Sequence, residues 1–401
     1  MKKRNKWLTA VALTVLFGTS AAAQTLGTAN AASTAVGIAG AAVPVGEMSL
    51  YPNGRMYDLR KPGDQLLVKN SITYMSLKEL AVVYSDYVWS IDGQGVLNVT
   101  GPNHKLSWGK TSRYAYTNSG TRMMASAPIK HNGEWFYPLK SISAWAGGTI
   151  RLYPSKELGV DYAPLSMVTG DSSGWYWVRR DNGIAYEAIG SELPHTIGWT
   201  NVRAYQYYGI SETKLDAKGS VLLKIMHSHG EPSLAADYYS LVIQNGKLVR
   251  QTEELYYGFG NTQSIQKSTD GYHVLLNKTG ALFLDHAGNT VLGYDMGSLL
   301  GSDKNFTIEY ASVDEGIALV RPYAAATLLL VDMNKDTAVP LYKELLSAEE
   351  QQLLDTWPNN QFDYPTDKLK LIKREGNVFT FEHRALMGTG VETLSYTWKR
   401  S

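Results

Sequence analysis

The sequence contains no cysteine among its 401 residues. The chain can therefore form neither a disulfide nor a thiolate metal site, and it has no cysteine for lipoprotein attachment. Motifs of several enzyme classes are also missing, since there is no G-x-S-x-G elbow, no glycine-rich phosphate loop and no H-E-x-x-H helix. These absences favour a binding function over a catalytic one, and we predict no cofactor.

Strong charge of either sign is also missing. The formal net charge is +1, from 38 Lys and Arg against 37 Asp and Glu, and no basic cluster follows residue 6. Nucleic-acid-binding proteins need such clusters, so we predict no nucleic-acid partner. No apolar stretch of about twenty residues appears beyond the N-terminal region, which predicts no transmembrane segment in the mature protein.

The N-terminus has the composition of a secretory signal peptide. Four basic residues, Lys2, Lys3, Arg4 and Lys6, precede an apolar run at 7–18, which is short for a membrane span. Cleavage at the small residues 21–23 or at 29–31 stays open. We assign 1–32 to the signal peptide and 33–47, rich in Ala, Gly, Val and Ser, to a flexible tether. The predicted location is extracellular, with association to the cell wall as an open extension.

A 22-residue segment, 70–91, recurs 62 positions later as 132–153. Aligned without gaps, the copies match at apolar and aromatic positions, including Tyr74 with Phe136, Leu80 with Ile142, and Val88 with Ile150. Each copy is predicted to form a strand, a short helix and a second strand, with the helix beginning at Ser76 or Pro138. Because one such unit cannot cover its own apolar face, we expect the copies to pair.

Short motifs around the second copy identify a module. They are Asn118-Ser119-Gly120, Ala127-Pro128-Ile129, Asn132-Gly133, Tyr137-Pro138-Leu139-Lys140 and Ala146-Gly147-Gly148-Thr149-Ile150. This pattern resembles the copper amine oxidase N-terminal domain, a stalk module of secreted bacterial proteins, over about residues 48–155. The resemblance implies an α+β stalk-like domain, which we place at 48–162. The family's stalk module holds neither copper nor the quinone cofactor, so the resemblance implies no chemistry.

From about residue 165 the sequence consists of short β-rich segments separated by polar turns. Five turns end in a glycine that can adopt φ > 0, namely Gly183, Gly219, Gly271, Gly316 and Gly376. The Ser268-Thr269-Asp270-Gly271 turn resembles the S-x-D-G turn of TolB-like and WD40-like β-propellers. We predict an all-β domain over 163–401 with a five-bladed propeller-like fold, so that the fold class is an α+β duplicated module followed by this domain. A β-sandwich or an irregular β-domain stays open.

One helix is predicted within this β-rich region. Ser347-Ala348-Glu349-Glu350 has capping-box spacing, and an apolar-periodic run continues to Trp357 before Pro358. We interpret this helix as a connector between the last two blades, and a partner-binding helix stays open.

His227 and His229 are the closest histidine pair in the sequence. On a strand both rings would face the same side, where they could chelate a transition metal. Amine oxidases use an H-x-H pair for copper, but they also need an Asn-Tyr-Asp/Glu sequence, and the chain has no Asn-Tyr dipeptide. We therefore expect no copper amine oxidase activity. We assign no metal site and keep His227 and His229 as weak candidate ligands.

Aromatic residues are abundant, with 26 Tyr and 10 Trp. Planar rings with a polar group suit stacking on sugars or binding of peptides, although aromatic residues also favour the buried faces of strands. The clustered residues are the candidate ligand-binding set, namely Trp175, Trp177, Tyr207, Tyr208, Tyr256 and Tyr257.

These features favour a secreted, noncatalytic binding or structural protein of the cell envelope. Its stalk-like domain would present the β-domain to a cell-wall glycan or an envelope protein. The alternative is an exported glycoside hydrolase that uses paired carboxylates in a propeller channel, with Asp270, Asp285, Asp332 and Glu382 as candidate acids. Most of these acids fall in turns, where acidic residues are expected for structural reasons.

Overall fold

A computed structural model describes residues 43–44, 50–52, 66–152, 158–190, 192–205, 207–216, 219–230, 235–257, 264–300, 305–356 and 365–399. The chain divides into two compact units, one ending at Trp199 and one beginning at Thr200. The predicted signal peptide lies outside the described residues, as does the tether except for Val43–Pro44. In the described ranges no helix is both long enough and apolar enough to cross a membrane.

The first unit contains four sheets and two short helices within its described residues. The helices are α1 (Leu77–Val83) and α2 (Leu139–Ala146). Its strands are β1 (Val43–Pro44), β2 (Leu50–Pro52), β3 (Leu66–Lys69), β4 (Ile72–Ser76), β5 (Val88–Ile91), β6 (Leu97–Gly101), β7 (His104–Trp108), β8 (Tyr114–Thr117), β9 (Gly120–Met123), β10 (Ile129–His131), β11 (Glu134–Pro138), β12 (Thr149–Leu152), β13 (Leu158–Asp161), β14 (Ser166–Asp171), β15 (Gly174–Arg179), β16 (Ile184–Ala188) and β17 (His195–Trp199). The sheet orders are β1-β3-β4-β11-β10, β12-β13-β2, β5-β6-β7-β8-β9 and β14-β15-β16-β17.

The two repeat copies form strand, helix and strand, as the sequence predicts. Asn70 and Asn132 both adopt φ near +50°, at 49° and 47°, in the hairpin turns that open the copies. The copies pair through β4 and β11, which are antiparallel, and Met75 lies opposite its own equivalent, Tyr137. Because equivalent residues pair on antiparallel strands, a local two-fold axis relates the two copies. The expected pairing of the copies is therefore confirmed.

The helices of the repeat cover one shared core. Leu80 of α1 and Ile142 of α2 have no exposed surface and belong to the same apolar cluster. The Ser76 hydroxyl accepts the N–H of Glu79 at 3.3 Å and so caps α1. Gly147 ends α2 with φ of 84°, a conformation that favours glycine.

Asp86 joins the repeat to the sheet β14–β17. Its carboxylate accepts the Tyr162 hydroxyl at 2.5 Å and the Leu165 N–H at 3.0 Å, while its backbone carbonyl accepts the Trp177 indole N–H at 3.0 Å. Burial raises the pKa of the Asp86 carboxyl, and these hydrogen bonds offset part of that increase. The contacts explain why the first compact unit continues to Trp199 rather than ending near residue 162.

Over the part of the second unit that the structure describes, there are four antiparallel sheets, and the strands of each are adjacent in sequence. The sheet orders are β18-β19-β20-β21, β22-β23-β24, β25-β26-β27-β28 and β29-β30-β31. The strands are β18 (Tyr207–Lys214), β19 (Val221–His229), β20 (Ala235–Gln244), β21 (Lys247–Tyr257), β22 (His273–Asn277), β23 (Gly280–Leu284), β24 (Thr290–Asp295), β25 (Phe306–Ser312), β26 (Ile317–Pro322), β27 (Leu329–Asp332), β28 (Thr337–Pro340), β29 (Leu369–Glu375), β30 (Val378–Arg384) and β31 (Val391–Thr397). Its helices are α3 (Gly297–Leu300), α4 (Leu341–Leu345) and α5 (Ala348–Thr356).

The local turn and helix predictions are confirmed. All five predicted turn glycines have positive φ, with values of 74° at Gly183, 94° at Gly219, 89° at Gly271, 70° at Gly316 and 57° at Gly376. The predicted N-cap also forms, since the Ser347 hydroxyl accepts the N–H of Glu350 at 3.3 Å. The Glu350 carboxylate accepts the Ser347 hydroxyl at 3.2 Å rather than a backbone N–H, so half of the predicted capping box is present. Helix α5 follows this cap and connects the sheets β25–β28 and β29–β31.

Arg321 on β26 has no exposed surface and holds these two sheets together. Its guanidinium donates to Glu309 at 2.5 Å, to Asp367 at 2.6 Å and to the Leu369 carbonyl at 2.9 Å. Glu309 lies at an irregularity in the β25–β26 register, between Ile308 and Tyr310. A bulge re-aims a side chain, and here it places the Glu309 carboxylate beside Arg321.

The predicted fold class is wrong. The described residues are mostly β, with 54% in strands and 11% in helices, and they form eight small separate sheets without a five-bladed propeller. The predicted α+β class does not describe the protein, because helices account for only 11% of the described residues. Turn spacing correctly indicated short antiparallel sheets, but it contains no information on whether successive sheets close into a ring.

We predict that Arg321→Met destabilises the second unit by roughly 3–5 kcal/mol, because the two facing carboxylates lose their buried partner. The measurement is urea denaturation, with hydrogen exchange in β26 and β29 as the local readout. Lys343→Ala is the matched control, since Lys343 pairs with Asp355 at the surface. Equal free energies of unfolding for the two variants would contradict the assigned role of Arg321.

Candidate functional site

The tryptophans of the candidate ligand-binding set lie mainly in packing positions. Trp177 has no exposed surface, and its indole N–H donates to the Asp86 carbonyl. Trp175 is partly buried and packs against the same small cluster, which includes Tyr186 and Ala188. Trp177 therefore contributes to the core of the first unit and offers no surface to a ligand.

The tyrosines of that set, all in the second unit, do not form one surface. Tyr207 and Tyr208 are consecutive on β18 and so face opposite sides of the sheet. Tyr207 is 63% exposed, whereas Tyr256 on β21 is 6% exposed. The side chain of Tyr257 lies outside the described residues. The structure therefore brings no aromatic platform together from the described members of the set.

Tyr256 forms a polar pair with Glu254. Its hydroxyl donates to the Glu254 carboxylate at 2.7 Å. Burial raises the pKa of Glu254 from 4.5 to about 7, although the hydrogen bond from Tyr256 and the charge of Lys224 act in the opposite direction. The adjoining cavity, which Lys278 and Phe306 also line, has a volume of about 10 Å³. A space of this size suits a single water molecule rather than a ligand.

An exposed aromatic surface lies instead on the sheet β5–β9 of the first unit. On β8, Tyr114 is 53% and Tyr116 66% exposed, and Met123 on β9 is 64% exposed. Tyr116 lies opposite Ser107 on one side and Thr121 on the other, and Tyr114 lies opposite Met123. Together with Asn98, which lies opposite Ser107, these side chains form what we call the tyrosine face, comprising Asn98, Ser107, Tyr114, Tyr116, Thr121 and Met123.

The tyrosine face is rigidly supported by the opposite face of the same sheet. Leu97, Val99, Leu106, Trp108 and Ala115 alternate with its residues and have no exposed surface. Because this face is packed along β6, β7 and β8, the register that exposes Tyr114 and Tyr116 is strongly fixed. Sequence reasoning missed these residues, although the alternation of tyrosine with the small Ala115 in β8 is the signal that could have identified them.

His227 and His229 lie on the same face of β19, as predicted, and their ring centroids are 4.9 Å apart. The structure adds Asp237, which lies on β20 directly opposite His227. One oxygen of Asp237 is 3.5 Å from His227 Nδ1 and 3.1 Å from His229 Nε2. Tyr208 lies opposite His227 on the other side. Two imidazoles and one carboxylate thus converge in one place, and this donor set could hold a metal ion.

The candidate acids of a hydrolase make structural hydrogen bonds. Asp270 accepts the Val313 N–H at 2.5 Å, and Asp285 accepts the N–H groups of Ala287 and Asn289 at 2.9 and 2.8 Å. A cavity of about 370 Å³ is lined by Asp332 together with Glu344, Tyr396 and Trp398. One oxygen of Asp332 accepts the N–H groups of Asn334 and Lys335, both at 3.1 Å. Glu382 lies 3.4 Å from Arg384.

No protein-family model and no curated protein matches the chain. Among solved structures, a protein of unknown function from Bacteroides caccae is 13% identical over 70% of this chain and 82% of its own, with a TM-score of 0.22. Dihydro-heme d1 dehydrogenase NirN in complex with DHE is 12% identical over 61% of this chain and 44% of its own, with a TM-score of 0.19. Neither likeness carries an argument about fold or function, and the resemblance to the copper amine oxidase N-terminal domain receives no support from them.

We predict that Glu254→Gln removes a pH dependence of stability. The folded state holds the Glu254 proton up to about pH 7, whereas the unfolded chain loses it near pH 4.5. The stabilisation is therefore fully present below pH 4.5 and is lost as the pH rises through 7. The urea midpoint of the unsubstituted protein should decrease relative to that of the variant between these values. A constant difference across the range would show that Glu254 ionises normally.

Proposed function

We propose that the protein is an exported, noncatalytic binding protein of the cell envelope, and that its tyrosine face binds a neutral polysaccharide. The observation that carries this proposal is the exposure of Tyr114 and Tyr116 on one side of a rigid sheet. The signal-peptide pattern of residues 1–32 supports export.

The chemistry of the tyrosine face suits a sugar chain. Tyrosine rings combine an apolar plane, which can stack on the face of a sugar, with a hydroxyl that can hydrogen-bond. The row Asn98, Ser107, Tyr116 and Thr121 adds amide and hydroxyl groups, and Lys105, two residues before Ser107 on β7, adds one positive charge to the same face. A face whose polar groups are mainly hydroxyls and amides suits a neutral glycan.

The sheet also lowers the cost of binding. Tyr114 and Tyr116 lie on a strand whose alternate residue, Ala115, is buried. The backbone that presents the rings is therefore ordered before the ligand arrives, and little conformational entropy is lost on binding. No catalytic residue is required by this function.

We predict that Tyr116→Ala weakens binding to an insoluble neutral polysaccharide about tenfold, because one stacking contact between the ring and a sugar is lost. The double substitution of Tyr114 and Tyr116 should abolish saturable pelleting. The measurement is co-sedimentation of the full chain with cellulose, chitin and purified cell-wall sacculi, with circular dichroism to establish folding.

Tyr207→Ala is the matched control for this experiment, because Tyr207 is also an exposed strand tyrosine. It should pellet like the unsubstituted protein. Loss of pelleting with Tyr207→Ala but not with Tyr116→Ala would move the binding surface to the second unit. Absence of saturable pelleting with all three materials would contradict the proposal.

A further inference from the structure

We propose that His227, His229 and Asp237 bind one divalent transition-metal ion, independently of the tyrosine face. One ligand atom from each residue lies within 4.8 Å of the other two. The three residues come from paired strands, β19 and β20, so the hairpin backbone fixes their spacing. Two nitrogen ligands and one carboxylate oxygen are a donor set used by transition metals.

The distances match those between ligands of a single ion. Two ligands on a tetrahedral ion, each bound at about 2.1 Å, are about 3.4 Å apart. Asp237 Oδ2 lies 3.5 Å from His227 Nδ1 and 3.1 Å from His229 Nε2. The carboxylate oxygen therefore has the spacing of an adjacent ligand to each of the two nitrogens, and the three ligand atoms lie within 4.8 Å of one another.

His229 carries a second indication of a ligand. Its Nε2 atom is buried yet makes no hydrogen bond, although it lies 3.1 Å from the Asp237 carboxylate. A buried nitrogen without a hydrogen bond is unfavourable, and a metal ion would satisfy it. The cluster lies near the surface, because the side chain of His229 is 36% exposed and that of Asp237 is 18% exposed. Water could complete the coordination from this side.

Binding has one identifiable local cost. Nε2 of His227 accepts the backbone N–H of Tyr205 at 3.3 Å, which places the proton of the neutral ring on Nδ1. An ion at Nδ1 replaces that proton, and the neutral ring then carries its hydrogen on Nε2. The Tyr205 N–H must turn away, so metal binding should perturb the Tyr205 amide.

The donor set indicates the class of ion. Imidazole nitrogens suit Zn²⁺, Cu²⁺ and Ni²⁺, whereas Ca²⁺ and Mg²⁺ require mainly oxygen ligands. We expect affinity to follow the order Mn²⁺ < Co²⁺ < Ni²⁺ < Cu²⁺, with Zn²⁺ below Cu²⁺. Ca²⁺ should not bind at this site.

The test is isothermal titration of the tag-free full chain, first stripped with a chelator, with Zn²⁺ and with Ca²⁺. The unsubstituted protein should take up one Zn²⁺ at this site, and His229→Gln should weaken that step by about 100-fold or more, since even outer-shell changes cost 10–100-fold. Asp237→Asn should also weaken it. Bound Cu²⁺ should show two nitrogen couplings in electron paramagnetic resonance, and one coupling in His229→Gln.

Two controls separate this site from other histidines. His195→Gln removes a 51% exposed imidazole beside Glu187 and should leave the Zn²⁺ affinity unchanged. His383 forms a separate cluster with Glu350 and Glu392. His383→Gln removes the imidazole of that cluster and should also leave Zn²⁺ binding at His227, His229 and Asp237 unchanged. Circular dichroism establishes that each variant is folded.

Three results would overturn the proposal. The first is that the unsubstituted protein takes up no Zn²⁺. The second is that His229→Gln and His195→Gln lose the same amount of Zn²⁺ affinity. The third is that Zn²⁺ uptake disappears only in His383→Gln. The first would leave the three residues as a histidine and carboxylate cluster without a metal. An unchanged Tyr205 amide resonance in the Zn²⁺-loaded protein would also overturn the assignment of Nδ1 of His227 as the ligand atom.

Discussion

The structure depends on one constraint: a sheet of a few short strands cannot cover its own apolar surface. Each sheet must pack on a neighbour, and polar groups at these junctions need partners because buried unpaired groups are costly. Arg321 satisfies this requirement in the second unit by joining Glu309, Asp367 and the Leu369 carbonyl. Asp86 does so in the first unit through Tyr162, Leu165 and Trp177. The side chains available for binding are those that these junctions leave exposed.

Local chemistry could be predicted from the sequence because it depends on neighbouring residues. Glycine has access to positive φ, so Gly271 and Gly316 indicated turns that the structure contains. Ser347 and Glu350 likewise identified the start of α5. The fold class could not be predicted in the same way. Glu309 meets Arg321 only because a bulge shifts the β25–β26 register, and Arg321 meets Asp367 only after two sheets pack. Neither event leaves a local pattern. The expected ring of blades was based on turn spacing and on one S-x-D-G turn, and neither feature determines how sheets pack.

For the candidate sites too, the sequence predicts features set by neighbouring residues and misses those set by contacts between distant residues. Aromatic clustering selected Trp177 and Tyr256, which the structure buries, and overlooked Tyr114 and Tyr116, which it exposes. A cluster of aromatic residues in the sequence shows only that several rings are close along the chain. Which ring is exposed to solvent depends on the alternation of side chains along the strand. His227 and His229 could be recognised because two residues on one strand share a face. Asp237 could not, because its place opposite His227 depends on the register of a hairpin whose turn length the sequence does not fix.

The same physical reasoning underlies our proposal of binding rather than catalysis. Catalysis by carboxylates needs two acids free to exchange protons, and Asp270, Asp285 and Asp332 instead accept backbone N–H groups of their own or adjacent turns. Recognition has a weaker requirement, namely chemically suitable side chains held at fixed spacing on a rigid element. The tyrosine face and the His227, His229 and Asp237 cluster both meet that requirement, because each lies on paired strands whose register sets the distances. A sheet with one packed face can therefore supply a binding surface without the strained loops and free acids that an enzyme needs.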